Sequence, residues 1–166
     1  MTVSVRDSAA LLDATSGADL GAPYAAPEQR SSFLSAVGRS PGMLRIALVE
    51  SMTPWESGAE AREAVQLTAK LCESLGHRVE SVTLPVNLPE FIHNTFSIIA
   101  PNTQNFINTL GEMRGSPVMD SELEPRTRVM LREKGRIDAT TYVAAIEYMH
   151  ALGRSLAGFM EDYDLI

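Results

Sequence analysis

Leu44-Arg45-Ile46-Ala47-Leu48-Val49 is a short apolar run that contains a single arginine. Pro41-Gly42 precedes the run and the segment 51–54 follows it, so turn-forming residues bound it on both sides. A continuous apolar run of this length between turn signals is typical of a buried strand. We therefore predict a buried strand over residues 44–50.

The residues that follow predict a helix and a second strand. Ser57-Gly58-Ala59-Glu60 has the pattern of a capping box, in which the serine and the glutamate satisfy free amides of the first turn. Apolar residues then recur at helical spacing as far as Gly76, which ends the predicted helix. His77 to Leu84 alternates between polar and apolar residues, as a strand does. A strand–helix–strand unit favours parallel strands joined by a right-handed crossover.

The regions on either side of this unit are predicted to be mainly helical. Ser4 is a good N-cap for a first helix, and a connector rich in Gly, Ala, Ser and Pro follows over residues 16–41. Downstream, Pro89 begins a helix that extends to Phe106 or beyond, with Pro101 as a candidate break. Further helices are predicted over Glu122–Lys134 and after the cap residue Asp138, and a strand begins at Asp162.

These elements predict an α/β fold that is rich in helix, with a mixed, mainly parallel sheet and helices packed on it. The sheet has too few strands to be complete, so residues 1–166 are predicted to form a single partial domain. We divide it into an N-terminal helix and connector (1–43), the strand–helix–strand unit (44–85), and a helical region with the start of a strand (86–166).

Composition excludes several classes of function. The formal net charge is −7, which argues against nucleic acid as a partner because phosphate binding needs clustered Lys and Arg. Glutamates interleave with the arginines at 126, 128 and 132, which is typical of a solvated helix face. Cys72 is the only cysteine and is predicted to be a buried structural thiol. No apolar run is long enough to span a membrane and no signal peptide is visible, so we expect a cytoplasmic protein.

The order of several segments resembles the amidase signature family of hydrolases. Val5-Arg6-Asp7-Ser8-Ala9-Ala10-Leu11-Leu12-Asp13 is similar to the segment that follows the catalytic region of that family. Residues 16–27, with Tyr24, resemble its Gly/Asp/Pro turn, and Leu44–Val49 resembles its next strand. Tyr163-Asp164-Leu165-Ile166 resembles the start of its later Tyr-Asp strand. The resemblance implies hydrolysis of carbon–nitrogen bonds in small-molecule amides without a metal or other cofactor.

The same resemblance predicts that the catalytic residues are missing. The family uses a serine nucleophile, a second serine and a lysine, all upstream of the segment that resembles Val5–Asp13. Ser31-Ser32 is the nearest local lookalike, but no glycines flank it to form an oxyanion turn. Lys70 and Lys134 are predicted to be solvated. We therefore assign no catalytic residue, and we expect this central fragment of an amidase to be inactive on its own.

A part of the substrate pocket is the remaining expectation. The resemblance implies that the helical region after the second strand walls the acyl side of the cleft. Ile99, Asn102 and Thr103 lie in that region beside Pro101, whose missing N–H could open the helix towards a cleft. We predict these three residues as substrate-binding. The alternative is that Pro101 is a plain helix boundary and that its neighbours belong to the core.

Two other classes of function compete with the amidase interpretation. Glu90-Phe91-Ile92-His93 and Glu147-Tyr148-Met149-His150 are both Glu-x-x-His motifs, which build di-iron sites in four-helix bundles. The strands predicted above do not belong in such a bundle, and no metal site is assigned. A non-catalytic interaction module is the second alternative, because uncovered sheet edges and the apolar face of the first helix would lead to self-association.

Overall fold

A computed structural model describes residues 1–24 and 27–166 of the chain. It divides into two compact units, Met1–Gly42 and Met43–Ile166. The predicted connector over residues 16–41 lies in the first unit, and its Ala25 and Ala26 fall outside the described residues.

Two helices form the first unit, α1 (Val5–Thr15) and α2 (Phe33–Ala36). The predicted N-cap is confirmed, because the Ser4 hydroxyl accepts a hydrogen bond of 3.1 Å from the amide of Asp7. Near the end of α1, the carboxylate of Asp13 accepts hydrogen bonds from the amides of Phe33 at 2.7 Å and Leu34 at 2.9 Å. The bond from the Leu34 amide is the main reason that the pKa of Asp13 lies below its usual value. Asp13 therefore joins α1 to the start of α2.

The second unit contains the predicted strand–helix–strand arrangement. Strands β1 (Arg45–Leu48) and β2 (Arg78–Ser81) are parallel, and helix α3 (Ala59–Ser74) connects them. Both strands are shorter than predicted. On its other side β1 is bonded to the C-terminal segment, where the Ala47 amide donates to the Leu165 carbonyl at 2.9 Å. β1 thus has bonded neighbours on both sides, and its Ala47 is only 2% exposed. The prediction of a helix-rich α/β fold with a small parallel sheet is confirmed.

The predicted capping box at the start of α3 is wrong. Gly58 is the N-cap of this helix and no side chain bonds to its first-turn amides. The helix begins at Ala59, one residue later than the capping-box pattern requires. Glu60 is therefore the second helical residue, where it cannot pair reciprocally with Ser57.

Three longer helices complete the second unit, namely α4 (Leu88–Arg114), α5 (Pro125–Lys134) and α6 (Ala139–Phe159). The predicted cap of α6 is confirmed, since Asp138 accepts from the amide of Thr141 at 2.9 Å. The predicted break at Pro101 is wrong, because α4 continues through it. A proline removes one intrahelical hydrogen bond, whereas packing of α4 on α6 holds the residues around it. Ala100 is 0% exposed.

The start predicted for α5 at Glu122 is also wrong. Residues Asp120–Glu122 form a 3₁₀ turn, and the helix begins at Pro125. Glu122 accepts hydrogen bonds of 2.7 and 2.8 Å from the guanidinium of Arg114, at the end of α4. That pairing, with a further bond from the Met119 amide, lowers the pKa of Glu122 to about 2. The Arg114–Glu122 pair therefore closes the loop between α4 and α5.

Large apolar side chains of α3 remain at the surface. Leu67 and Leu71 of α3 and its C-cap Leu75 lie at intervals of four residues and are 59%, 59% and 67% exposed. No residue of α3 is buried, and Cys72 is only half-buried, so the predicted buried thiol is wrong. Among residues 1–24 and 27–166, no helix is both long and apolar enough to cross a membrane.

Candidate functional site

A cavity lies between α4 and α5. It has a volume of about 640 Å³. Apolar side chains from both helices form most of its surface, and polar groups come from His93, Arg126, Thr127, Glu133 and Lys134. The apolar contributors are Ile92, Phe96, Pro125, Val129 and Met130. A concave, mainly apolar cavity with a few polar groups is the usual form of a small-molecule site.

Local sequence explains how α5 reaches α4. Pro125 occupies the first turn of α5, where its missing N–H costs nothing. Gly135 ends the helix and is buried. A Cβ atom at position 135 would lie 2.5 Å from the carbonyl oxygen of Leu131, so only glycine fits without a backbone shift. Lys134, the residue before Gly135, contacts α4.

Lys134 ties the two helices together. Its ammonium donates to the Ser97 hydroxyl at 2.8 Å and to the His93 carbonyl at 3.2 Å, and it lies 3.3 Å from His93 Nδ1. An ammonium group has three protons, and two of them are used in the bonds to the hydroxyl and the carbonyl. The prediction that Lys134 is solvated is therefore wrong: its side chain is half-buried and bonded to α4. No sequence signal near Lys134 indicates this contact.

The Ser97–Lys134 pair has the residue types of a catalytic dyad but not the geometry. Ser97 is 1% exposed, so a substrate carbonyl has no path to its hydroxyl. The hydroxyl already donates to the His93 carbonyl at 2.9 Å and accepts from the lysine. A base must instead accept the serine proton. We interpret the pair as a structural link at the edge of the cavity.

Arg126 and Glu133 place opposite charges on the cavity face of α5. They are seven residues apart, which corresponds to roughly 10 Å along the helix. Arg126 is exposed and forms no ion pair with any residue in the described part of the chain. Arg128 and Arg132 line a different groove, together with Asp120 and Leu131. The sequence predicted that all three arginines share one solvated helix face. It did not indicate that Arg126 lines a different cavity from the other two.

The predicted substrate-binding residues lie further along α4. Asn102 lines a smaller groove of about 420 Å³ between α4 and α6, where its amide donates to the Tyr142 hydroxyl at 3.1 Å. Thr103 donates to the Ile99 carbonyl at 2.9 Å, within its own helix. Ile99 is 45% exposed, and neither Ile99 nor Thr103 lines either cavity. The structure thus brings Asn102 to a groove and leaves the other two on the surface of α4.

Other residues considered from the sequence have structural roles or stay apart. Ser32 caps α2 by accepting from the Ser35 amide at 3.1 Å, and Lys70 is exposed on α3 as predicted. The Glu-x-x-His motifs lie on α4 and α6. In the described residues, no three His, Cys, Asp or Glu side chains come together in a way that could hold a metal ion. The di-iron alternative therefore has no ligand cluster.

Comparison with known proteins decides the family. The family model described as Amidase matches residues 1–166. This chain belongs to the amidase family. A relative from Synechocystis sp. (strain PCC 6803), named "Putative amidase", is 30% identical over 165 residues. That match covers 98% of this chain and 29% of the relative. A glutamyl-tRNA(Gln) amidotransferase polypeptide of Staphylococcus aureus is 35% identical over 85 residues, which is 51% of this amidase-family chain and 18% of that relative.

Solved structures share the fold of this amidase-family chain. 6-Aminohexanoate cyclic dimer hydrolase, solved with its substrate, matches with a TM-score of 0.84 at 23% identity. A bacterial aryl acylamidase of the amidase signature family matches with a TM-score of 0.80 at 18% identity. These matches cover 96% and 97% of this chain but only 34% of each solved chain. The chain therefore spans about a third of the length of the proteins whose fold it shares.

Proposed function

We propose that this chain forms one wall of the substrate site of an amidase that hydrolyses carbon–nitrogen bonds in small-molecule amides. The main observation in support of this proposal is the cavity between α4 and α5, in a chain that belongs to the amidase family. Its apolar surface suits the hydrocarbon part of an amide, and its volume of about 640 Å³ suits a small ligand. The reaction needs no metal or cofactor, and we assign the protein to the cytoplasm.

Each part of the wall has a distinct role in this proposal. Ile92, Phe96 and Met130 exclude water around the hydrocarbon part of the substrate. The Lys134 link to α4 holds the cavity walls in place. Asn102 contributes an amide group at the neighbouring groove, where Tyr142 already orients it. Ile99 and Thr103, which lie on either side of Asn102 in the sequence, complete the substrate surface proposed along α4.

We further propose that the 166-residue chain by itself does not hydrolyse amides. Nucleophilic catalysis requires an accessible hydroxyl next to a proton acceptor. Ser97 is buried, Ser32 serves as a helix cap, and the ammonium of Lys134 already donates to Ser97 and to the His93 carbonyl. Incubation of the purified chain with aromatic and aliphatic amides should release no ammonia or amine above the rate of a heat-denatured sample. Turnover that scales with protein concentration would contradict this part of the proposal.

Binding tests the cavity independently of turnover. N-Hexylacetamide, a neutral amide, should shift the backbone NMR signals of residues that line the cavity in the ¹⁵N-labelled chain. Phe96→Ala removes a large apolar surface from the cavity and should weaken binding about tenfold. Phe106→Ala is the matched control, since Phe106 lies on the same helix but outside the cavity and is 67% exposed. Equal affinities of the two variants would refute the assignment of the cavity.

A separate observation supports a second candidate function, that of an interaction module. Leu67, Leu71 and the C-cap residue Leu75 form an exposed apolar stripe along α3 and its C-terminal end, and such stripes commonly mark protein contacts. If this stripe mediates self-association, light scattering after size exclusion should give a mass that rises with concentration. Leu71→Glu should then return the monomer, whereas Lys70→Glu, at the adjacent exposed position, should not. A monomer at all concentrations would rule out self-association.

A further inference from the structure

We propose that the cavity between α4 and α5 accepts amides that carry a carboxylate, and that Arg126 binds this carboxylate. The inference rests on the proposed function, because it names a substrate class for the same cavity. Arg126 lines the cavity at the beginning of α5. Its guanidinium has no acidic partner in the part of the chain that the structure describes, so its planar fork of donors is available to a ligand.

The other charged groups of the cavity are less suited than Arg126 to bind a carboxylate. Lys134 already donates to the Ser97 hydroxyl and the His93 carbonyl, so its ammonium is engaged with α4. Glu133 lies two helical turns from Arg126 on the same face of α5, with Met130 between them. A carboxylate near Glu133 would be repelled, whereas the same group near Arg126 is attracted. The charges therefore fix one orientation of the ligand along α5.

The overall charge of the protein makes this contact necessary for an anionic ligand. The formal net charge is −7, so the long-range field of the chain does not attract carboxylates. Recognition then has to come from a local, paired contact. A guanidinium binds a carboxylate through two parallel hydrogen bonds, which an ammonium cannot do. The apolar residues between Arg126 and Glu133 suit an aliphatic or aromatic spacer between the carboxylate and the amide.

Two amides of the same length test the inference by NMR titration of the full chain. The probes are 6-acetamidohexanoate, which ends in a carboxylate, and N-hexylacetamide, which ends in a methyl group. We expect the carboxylate to bind about tenfold more tightly. Arg126→Gln should abolish this difference, and Arg126→Lys should retain only part of it. Arg128→Gln is the matched control, because it removes the same charge from the same helix but on the neighbouring groove.

The outcomes separate this inference from the proposed function. Equal affinity of the two probes for the unmodified chain would overturn the role of Arg126 while leaving the amide cavity in place. An equal loss in Arg126→Gln and Arg128→Gln would also overturn it, because the effect would then be one of overall charge. Failure of both probes to bind would refute the cavity itself, and with it the proposed function.

Discussion

The link between Lys134 and α4 leads to a prediction about stability. Lys134→Met keeps the length and helix preference of the side chain but removes its ammonium. The bond to Ser97 is 2.8 Å long, and its acceptor is buried. A hydrogen bond to a charged group contributes about 1.5–3 kcal/mol. Because Lys134 is only half-buried, water partly solvates its ammonium, and we place this bond in the lower half of that range. We therefore expect a loss of about 2 kcal/mol, the longer contacts with His93 included.

Urea denaturation followed by far-ultraviolet circular dichroism measures this loss. Lys70→Met is the control, because Lys70 is exposed on α3, and its replacement should change stability by less than about 0.5 kcal/mol. Ser97→Ala combined with Lys134→Met completes a double-mutant cycle, with an expected coupling of about 1 kcal/mol. The Tm should fall by about 6 °C in the Lys134 variant. If Lys134→Met costs no more than Lys70→Met, the link contributes nothing and the reasoning is refuted.

Three further predictions follow from contacts in the two units. Gly135→Ala should destabilise the protein by about 1–3 kcal/mol in the same urea assay, because the new Cβ would clash with the Leu131 carbonyl; an unchanged midpoint would contradict this. The lowered pKa of Glu122 stabilises the folded chain above its unfolded value near 4.5, and this contribution disappears as the pH falls towards about 2. The stability difference between the unmodified chain and Glu122→Gln should therefore shrink from pH 7 to pH 3, and a constant difference would exclude the ion pair. Asp13→Ala should speed hydrogen exchange of the Phe33 amide, which donates to that carboxylate, and unchanged protection would argue against the bond.

Local signals in the sequence were sufficient for much of the fold. Ser4 and Asp138 combine a short polar side chain with a following helical pattern, and both cap their helices as predicted. The parallel pairing of β1 and β2 follows from a helix of suitable length between two short strands. Such features depend on residues that are close in the sequence, so the amino-acid sequence alone is enough to predict them.

The features that the sequence did not predict depend on contacts between distant residues. Lys134 and Ser97 are separated by 37 positions, and nothing next to Lys134 indicates that it meets α4. The cavity and the distinct position of Arg126 arise from the same pairing of α4 with α5. At Pro101 the sequence predicted a feature that is absent. A local rule predicted a helix break there, and tertiary packing keeps α4 continuous. The substrate-binding roles of Ile99, Asn102 and Thr103 remain predictions.

The pairing of β1 with the C-terminal segment also constrains the order of folding. The bond from the Arg45 amide to the Asp164 carboxylate joins residues that are 119 positions apart. Contacts of high sequence separation form slowly, because the chain between them loses entropy when the loop closes. The helices between these two positions close shorter loops and can form first. The bridge between β1 and the C-terminal segment then forms last, so a change that disturbs α4, α5 or α6 should delay this bridge without touching β1 or β2.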